Sequence, residues 1–301
     1  MHQKSRTPRQ IGLALGGGSA RGWAHIGIIH ALEEIGIKPN IVCGCSIGSL
    51  VGASYAAGNL EKLESWVRSL TTRTVVSFLE LDFSFKGFVD AERLQTFLNQ
   101  NVCDEKMEFA DLSKQFATVS TDLETGREIW FTQGSVLNAV WASMSLPGLF
   151  PPIQSQDRWL VDGGLVNPVP VSVCHALGAD IVIAVNLNGD IVGKHFTHKR
   201  HDSAITQAIK TFSNSLFTKT KSKERPPGLF DTIAGSFNIT QDRITRSRMA
   251  GEPPDIILSP KLSHIGLLEF DRAVEAIEEG RACVRRILPE IKHVTGWTES
   301  K

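Results

Sequence analysis

The sequence has 301 residues, of which 42% are hydrophobic and 21% charged, and this composition is typical of a globular protein with a large core. Acidic and basic residues are equal in number, 32 of each, so the overall charge gives no support to nucleic-acid binding. Five cysteines without metal-like spacing predict free thiols in a reducing compartment.

The start of the chain carries no signal for secretion. Residues 1–10 are polar and mildly basic, and the apolar run 11–15 is too short for the core of a signal peptide. No other stretch is apolar over the roughly 20 residues that a membrane-spanning helix needs. We therefore expect a cytoplasmic protein with a flexible N-terminus at 1–9, whose membrane contact, if any, is peripheral.

Strands and helices alternate along most of the chain, as judged from apolar spacing. This alternation predicts an α/β fold with a mainly parallel sheet that helices cover on both faces. The predicted elements are strand 11–15, helix 24–35, strand 41–43, helix 47–53, helix 90–98, strands 116–122 and 127–132, helix 136–144, strand 158–161, helix 171–177, strand 180–187, strand 255–259 and helix 273–288.

The first strand leads directly into a glycine-rich loop, Gly16-Gly17-Gly18-Ser19-Ala20-Arg21-Gly22. A dinucleotide fingerprint fits poorly, because Arg21 stands where the third glycine is needed, and the Gly-Lys-Ser/Thr of a P-loop is absent. Consecutive glycines leave backbone N–H groups unshielded, so that they can converge on an anionic oxygen. We favour an oxyanion hole; the alternative is a tight turn that needs positive φ.

The second strand ends in Gly44-Cys45-Ser46-Ile47-Gly48. A serine between two glycines at a strand-to-helix turn is the pattern of a nucleophile elbow. The turn is sharp, and side chains beside the serine would block it. The helix that follows brings its positive end close to the oxygen on which negative charge develops. The motif is short, and a tight turn of small residues is the alternative.

A third candidate lies at the end of the strand at 158–161, which runs into Asp162-Gly163-Gly164. This sequence can be a simple turn. It can also present a carboxylate beside glycines that allow another backbone to approach closely. The pattern alone leaves both interpretations open.

Two further segments have competing interpretations. Residues 78–88 carry six large apolar side chains, which favours burial in the core, with a wall for an acyl chain as the alternative.

Residues 190–254 interrupt the alternation of strands and helices, and their basic part, 194–225, surrounds a helical apolar stripe. A solvated loop with a packed helix is favoured there, and docking on anionic lipid is the alternative. The histidines of the basic part do not have the spacing of a structural metal site.

A serine nucleophile needs a base, and histidine is the usual one. Of the nine histidines, only His264 follows a late strand, where an α/β-hydrolase keeps its catalytic histidine. A Ser46–His264 pair is therefore conceivable. However, only one strand–helix unit precedes the elbow here, whereas several do in an α/β-hydrolase.

Four motifs in order resemble the patatin-like phospholipases, and most closely the bacterial RssA-type branch related to neuropathy target esterase. The motifs are Gly-Gly-Gly-x-x-Arg-Gly from Gly16, Gly-x-Ser-x-Gly from Gly44, Ala-Ser-x-Ser-x-Pro-Gly-x-Phe-x-Pro from Ala142, and Asp-Gly-Gly from Asp162. The resemblance covers residues 10–190 and, more weakly, 255–290.

The resemblance implies a three-layer α/β/α patatin-like fold and a serine–aspartate dyad. Ser46 would be the nucleophile and Asp162 the base, with no histidine between them and with no metal or cofactor. The oxyanion N–H groups would come from the glycine loop, beside Arg21. The residues with these roles or supporting the motifs are Gly16, Gly17, Gly18, Arg21, Gly22, Gly44, Gly48, Gly163 and Gly164. An aspartate acting as base at neutral pH needs partial desolvation, which raises its pKa.

These inferences predict the organisation of the chain. Residues 10–190 form a catalytic core, 191–254 form a basic helical or loop segment, and 255–301 add a strand and a helix that complete the core.

We expect a serine acyl-ester hydrolase of lipid metabolism, similar to phospholipases and lysophospholipases, with a lipid or acyl-ester substrate. Peripheral membrane contact would run through 194–225. The alternatives are an acyltransferase with the same dyad and a non-enzymatic regulator that binds lipid or protein.

Overall fold

The computed structural model describes residues 9–78, 91–191 and 229–297. Most of the apolar segment 78–88, the basic segment 194–225 and all but the last residue of the predicted flexible N-terminus lie outside these residues. The interpretations of those segments therefore stay predictions.

The described strands form one mixed sheet in the order β5-β6-β3-β2-β1-β7-β8, with β4 also paired to β3. Strands β1, β2, β3, β7 and β8 are parallel, whereas β4 and β6 are antiparallel to β3, and β5 is antiparallel to β6. The bounds are β1 Ile11–Leu15, β2 Ile41–Cys45, β3 Gln115–Asp122, β4 Glu128–Phe131, β5 Ile153–Ser155, β6 Arg158–Asp162, β7 Ile181–Val185 and β8 Ile256–Leu258.

Helices cover both faces of the sheet, which confirms the prediction of a three-layer α/β fold with a mainly parallel sheet. Alternate residues of β1 show the two faces: Leu13 and Leu15 belong to the larger core, and Ala14 to the smaller one. The helices are α1 Ala24–Glu34, α2 Ile47–Ala56, α3 Leu60–Arg68, α4 Thr72–Phe78, α5 Ala91–Asn101, α6 Val136–Met144, α7 Val171–Ala176, α8 Leu229–Gly251, α9 Ala273–Arg286 and α10 Leu288–Thr295.

The two largest differences from the sequence prediction are in the last third of the chain. The segment 229–251, expected only as part of a basic helical or loop region, is one helix of 23 residues, α8. Its apolar periodicity is weak because its buried side chains include Asn238, Gln241 and Thr245. The final helix predicted at 273–288 is two helices, which separate at Ile287.

The C-terminal helix α9 packs against α1 with main chains in contact. A Cβ atom built on Gly27 would lie 1.9 Å from the carbonyl oxygen of Ile277, and one on Gly280 would lie 2.1 Å from that of Ala24. Because any side chain at these two positions would separate the helices, this crossing depends on both glycines. The close crossing holds α9 against α1, whose buried side chains belong to the larger core.

We expect Gly280→Ala to lower the free energy of unfolding by about 3 kcal/mol, because the new methyl group would overlap a main-chain oxygen. Urea unfolding measures the change. Gly235→Ala is the matched control, since Gly235 lies in α8 and, apart from the adjacent backbone of that helix, no described atom would lie within 4 Å of a Cβ atom added there. That variant should gain about 0.5–1 kcal/mol from helix propensity. Equal stabilities of the two variants would contradict the close contact.

Candidate active site

Two strand ends meet on one edge of β3. Strand β2 ends at Cys45, which pairs with Val119, and β6 ends at Asp162, which pairs with the next residue of β3, Ser120. Strand β4 pairs with both of these β3 residues along the opposite edge. Because Ser46 directly follows β2, this topology brings Ser46 and Asp162 together from positions 116 residues apart.

Ser46 lies on a sharp turn between β2 and α2. Its φ of 54° and ψ of −125° are unusual for a residue with a side chain, and such conformations cost about 1–3 kcal/mol. The flanking glycines permit the turn. A Cβ atom on Gly44 would lie 2.4 Å from the Cα atom of Ser49, and one on Gly48 would lie 2.1 Å from the carbonyl oxygen of Leu15. The local geometry is that of a nucleophile elbow.

The serine-rich block that begins at Ala142 holds the main chain of both residues. The N–H of Ser46 donates to the hydroxyl of Ser143 (2.9 Å), which donates in turn to the carbonyl of Val119 (2.6 Å). The N–H of Asp162 donates to the carbonyl of Ser145 (3.0 Å). In the sequence, this block was identified only as one of the four motifs, with no contacts assigned to its serines. Its Ser-x-Ser spacing was the available signal for these contacts.

The side chains of Ser46 and Asp162 form a short hydrogen bond. Ser46 Oγ donates to Asp162 Oδ2 at 2.6 Å, and the N–H of Gly164 donates to Asp162 Oδ1 at 2.7 Å. The carboxylate is completely buried, and loss of hydration raises the pKa of Asp162 to about 6, although the two hydrogen bonds oppose the shift. Asp162 is therefore ionised at neutral pH and more basic than an ordinary aspartate.

Two main-chain N–H groups of the glycine loop are used in hydrogen bonds that hold the loop, and two others remain available at the cavity. Gly16 donates to the carbonyl of Val185 (3.1 Å), and Gly17 donates to that of Pro168 (2.9 Å). The N–H groups of Gly18 and Ser19 have no hydrogen-bond partner among the described residues, and both residues line the cavity that contains Ser46. Gly16 and Gly17 therefore have no free N–H group for an oxyanion, contrary to the expectation for all three glycines. The candidate donors are the N–H groups of Gly18 and, in addition, Ser19.

Arg21 and His25 anchor this loop from behind. Arg21 is buried, and its guanidinium donates to the carbonyl of Gly18 (3.1 Å) and to the side chain of Asn238 on α8 (2.9 Å). Burial lowers the pKa of Arg21 to about 10, so it stays charged at neutral pH. His25 Nε2 lies 2.8 Å from the carbonyl of Gly16, and burial lowers the pKa of His25 to about 4. Neutral His25 therefore donates to that carbonyl.

The remaining glycines of the motifs lie where neighbouring groups leave no space for a side chain. A Cβ atom would lie 2.3 Å from the side chain of Ile47 at Gly22, 2.2 Å from the carbonyl oxygen of Val119 at Gly163, and 2.0 Å from the amide nitrogen of Gln241 at Gly164. The last contact was not predicted, because it depends on α8.

A cavity opens beside Ser46, and most of its lining is apolar. Its apolar side chains come from four separate parts of the chain and include Ile47, Met144, Phe150, Phe237, Leu268 and Phe270. The polar groups are those of Gly18, Ser19, Ser46 and Gln241. An arrangement of this kind suits an ester group attached to a hydrocarbon chain.

His264 is engaged elsewhere. Its Nε2 lies 2.5 Å from a carboxylate oxygen of Glu275, its carbonyl accepts from Arg272, and its side chain is 40% exposed. Within the described part of the chain it has no contact with Ser46. The structure therefore brings Asp162, and not His264, to the serine.

In the described part of the chain, one side-chain group away from the cavity has ligand atoms close enough together to hold a metal ion, namely His30, Glu61 and Glu64. Glu64 is already paired with His30 and Arg68, and Glu61 is largely exposed. This arrangement is typical of a surface ion-pair network.

No helix in the described ranges has the length and apolar character to cross a membrane.

Known proteins are similar in sequence to this chain over the range that contains the site. The sequence profile described as patatin-like phospholipase matches residues 13–175, a range that includes Ser46 and Asp162. An uncharacterized NTE family protein of Mycobacterium tuberculosis (strain ATCC 25618 / H37Rv) is 32% identical over 335 residues, covering 94% of this chain and 92% of that protein. The chain belongs to the patatin-like phospholipase family. Membership places it among the lipid hydrolases.

Two larger eukaryotic proteins are also similar to this patatin-like protein. Lysophospholipase nte1 of Aspergillus fumigatus is 30% identical over 293 residues, covering 94% of this chain but 18% of that protein. Neuropathy target esterase sws of Drosophila melanogaster is 34% identical over 188 residues, covering 60% of this chain and 13% of that protein. These matches agree with the expected relation to neuropathy target esterase.

The raised pKa of Asp162 predicts a stability effect with a definite sign. Between pH 4 and 6 the folded protein binds the proton more tightly than the unfolded chain, so stability falls as pH rises through this range. Asp162→Asn removes the buried charge and should raise the free energy of unfolding at pH 8 by on the order of 2 kcal/mol. Urea unfolding at pH 8 and pH 4 tests this. A wild type as stable as the variant at pH 8 would refute the burial argument.

Proposed function

We propose that this protein is a serine carboxylic-ester hydrolase that cleaves phospholipids or lysophospholipids through a Ser46–Asp162 dyad and an acyl-serine intermediate. The observation that carries the proposal is the 2.6 Å hydrogen bond from Ser46 Oγ to the carboxylate of a completely buried aspartate. Family membership and the similarity to a protein named lysophospholipase support the substrate class.

In the acylation step, Asp162 Oδ2 accepts the proton of Ser46 Oγ as this oxygen attacks the ester carbonyl carbon. The negative charge that develops on the carbonyl oxygen is stabilised by the N–H groups of Gly18 and Ser19 and by the positive end of α2. Protonated Asp162 then gives its proton to the departing alcohol oxygen. The acyl group remains on Ser46.

In the deacylation step, a water molecule attacks the acyl carbon, and Asp162 accepts one of its protons. The same oxyanion donors stabilise the second tetrahedral intermediate. Asp162 returns the proton to Ser46 Oγ as the fatty acid leaves. One carboxylate thus acts in turn as base and acid in both steps, so its pKa near 6 is well matched to neutral conditions.

The surroundings of Ser46 support a lipid ester as substrate. The cavity is lined mainly by Met, Leu and Phe side chains, which favour a hydrocarbon chain over a polar acyl group. Peripheral membrane contact through 194–225 stays a prediction, and so does cytoplasmic localisation.

Three variants test the dyad. Ser46→Ala should abolish both lysophosphatidylcholine hydrolysis and labelling by a fluorophosphonate probe. Asp162→Asn should reduce kcat by about 10³-fold or more, because general-base catalysis is lost. His264→Ala should retain near-wild-type activity and labelling. Full turnover by Asp162→Asn, or loss of activity in His264→Ala alone, would contradict the proposal.

The same assay separates the alternatives. Adding an alcohol acceptor and analysing the products distinguishes hydrolysis from acyl transfer, because both share the acyl-Ser46 intermediate. An acylated acceptor as the main product would assign a transferase. A wild type that neither hydrolyses esters nor reacts with the probe would favour a binding regulator.

The pH dependence tests the identity of the base. Because ionised Asp162 is the active form, kcat/KM should rise with pH and reach half of its maximum near pH 6. Initial rates between pH 4.5 and 8.5, with enzyme stability checked at each pH, give the profile. His264→Ala should leave the midpoint unchanged. A midpoint that moves in this variant would indicate histidine as the base.

A further inference from the structure

Gln241 presents an unsatisfied amide donor at the cavity. It lies on α8, is only 1% exposed, and lines the cavity together with Ser46. Its Nε2 has no hydrogen-bond partner among the described residues. A buried donor left without a partner costs about 1–3 kcal/mol, so this group is suited to an oxygen atom that enters the cavity.

The orientation of the Gln241 amide follows from its neighbours. Asn188 Nδ2 donates to Gln241 Oε1 (2.8 Å) and lies 3.4 Å from the carbonyl oxygen of Gly17. Because a carbonyl oxygen can only accept, Asn188 must turn its NH₂ group towards Gly17. Gln241 must then turn its oxygen towards Asn188, which leaves Nε2 directed at the glycines beside the dyad.

Nε2 of Gln241 lies close to both proposed dyad residues. A Cβ atom built on Gly164 would lie 2.0 Å from Nε2 and 3.0 Å from Asp162 Oδ1. A Cβ atom built on Gly17 would lie 3.3 Å from Nε2 and 3.4 Å from the Cβ atom of Ser46. The free donor therefore lies beside Gly164, whose N–H donates to Asp162 Oδ1, and beside Gly17, which lies close to Ser46.

The position next to Asp162 must be occupied twice in each catalytic cycle. The departing alcohol oxygen has to come there to receive the proton, and the attacking water later occupies the same place to give one up. The cavity holds about 60 Å³, and one water needs about 10–15 Å³. This cavity therefore has room for an oxygen atom next to Ser46 and Gln241, which both line it.

We infer that Gln241 is a catalytic residue that donates a hydrogen bond from Nε2 to the leaving alcohol oxygen and then to the attacking water. In acylation the bond from Ser46 Oγ to carbon forms, the alkyl-oxygen bond to that carbon breaks, and the proton passes through Asp162 to the alcohol. In deacylation the oxygen–carbon bond to water forms, and the proton returns through Asp162 to Ser46. Gln241 keeps its own protons throughout. This inference rests on the proposed function.

The test compares two esters of the same fatty acid, one with an alkyl alcohol and one with p-nitrophenol. p-Nitrophenolate leaves without protonation, so the loss of a donor at the leaving oxygen affects its release little. Gln241→Met should lower kcat/KM about 10- to 100-fold for the alkyl ester but less than about threefold for the p-nitrophenyl ester. Slower deacylation should also produce a burst of p-nitrophenolate. Equal losses on both esters would overturn the inference.

Two further variants separate donation from structural support. Gln241→Glu keeps an acceptor for Asn188 and cannot donate once its carboxyl is ionised, so its preference for the p-nitrophenyl ester should grow as the pH is raised from about 6 to about 9. Unchanged alkyl-ester activity in this variant would overturn the inference. Thr245→Val is the matched control: Thr245 is buried on α8, has an unpartnered hydroxyl among the described residues and does not line the cavity. It should behave as wild type, and an equal leaving-group effect there would also overturn the inference.

The proposed function is tested independently of Gln241. Wild type must hydrolyse both esters, and Ser46→Ala must hydrolyse neither. Failure of that requirement would overturn the proposed function and this inference together. An active wild type with a leaving-group effect absent from the Gln241 variants would overturn only the inference. Thermal melting and fluorophosphonate labelling of each variant verify that it is folded.

Discussion

The site depends on keeping one carboxylate without water next to one serine. Burial raises the pKa of Asp162, and the only donors to its carboxylate oxygens among the described residues are Ser46 Oγ and the N–H of Gly164. An isolated buried charge of this kind destabilises the fold, as does the strained turn at Ser46. The stability must therefore come from elsewhere, and the extensive cores on both faces of the sheet provide it. The trade of stability for a reactive site is common in enzymes.

The main chain supplies most of the precision. Strands β2 and β6 end side by side on β3, so the backbone determines the separation of Ser46 and Asp162 before any side chain is considered. Ser143 and Ser145 then hold the N–H groups of the two residues. The glycine loop is fixed in the same way, through the carbonyls of Val185 and Pro168. Groups held by backbone hydrogen bonds need little reorganisation when charge develops, which is what electrostatic catalysis requires.

Local pattern was enough to predict the sheet and the turn at Ser46, because apolar alternation and paired glycines act within a few residues. At Asp162 the pattern alone left two interpretations open, and only the family resemblance pointed to a base. Local pattern was not enough wherever the partner is distant in sequence. For example, the N–H groups of Gly16 and Gly17 are hydrogen-bonded to the carbonyls of Val185 and Pro168, which lie far away in the sequence. Helix α8 was not predicted from the sequence, because its buried face carries Asn238, Gln241 and Thr245 and a buried face with polar residues gives no amphipathic pattern.

That polar face explains why α8 matters although it lies beyond residues 13–175, the range that the family profile matches. Asn238 binds Arg21 and thereby holds the carbonyl of Gly18, while Gln241 fills the space between Gly17 and Gly164. The proposed Ser46–Asp162 dyad contains no histidine, so it has no second side chain of its own to guide the proton from aspartate to the leaving oxygen. An amide from a later helix can orient that oxygen without titrating, so it adds direction to proton transfer while burial and the two hydrogen bonds of the carboxylate set the pKa of Asp162.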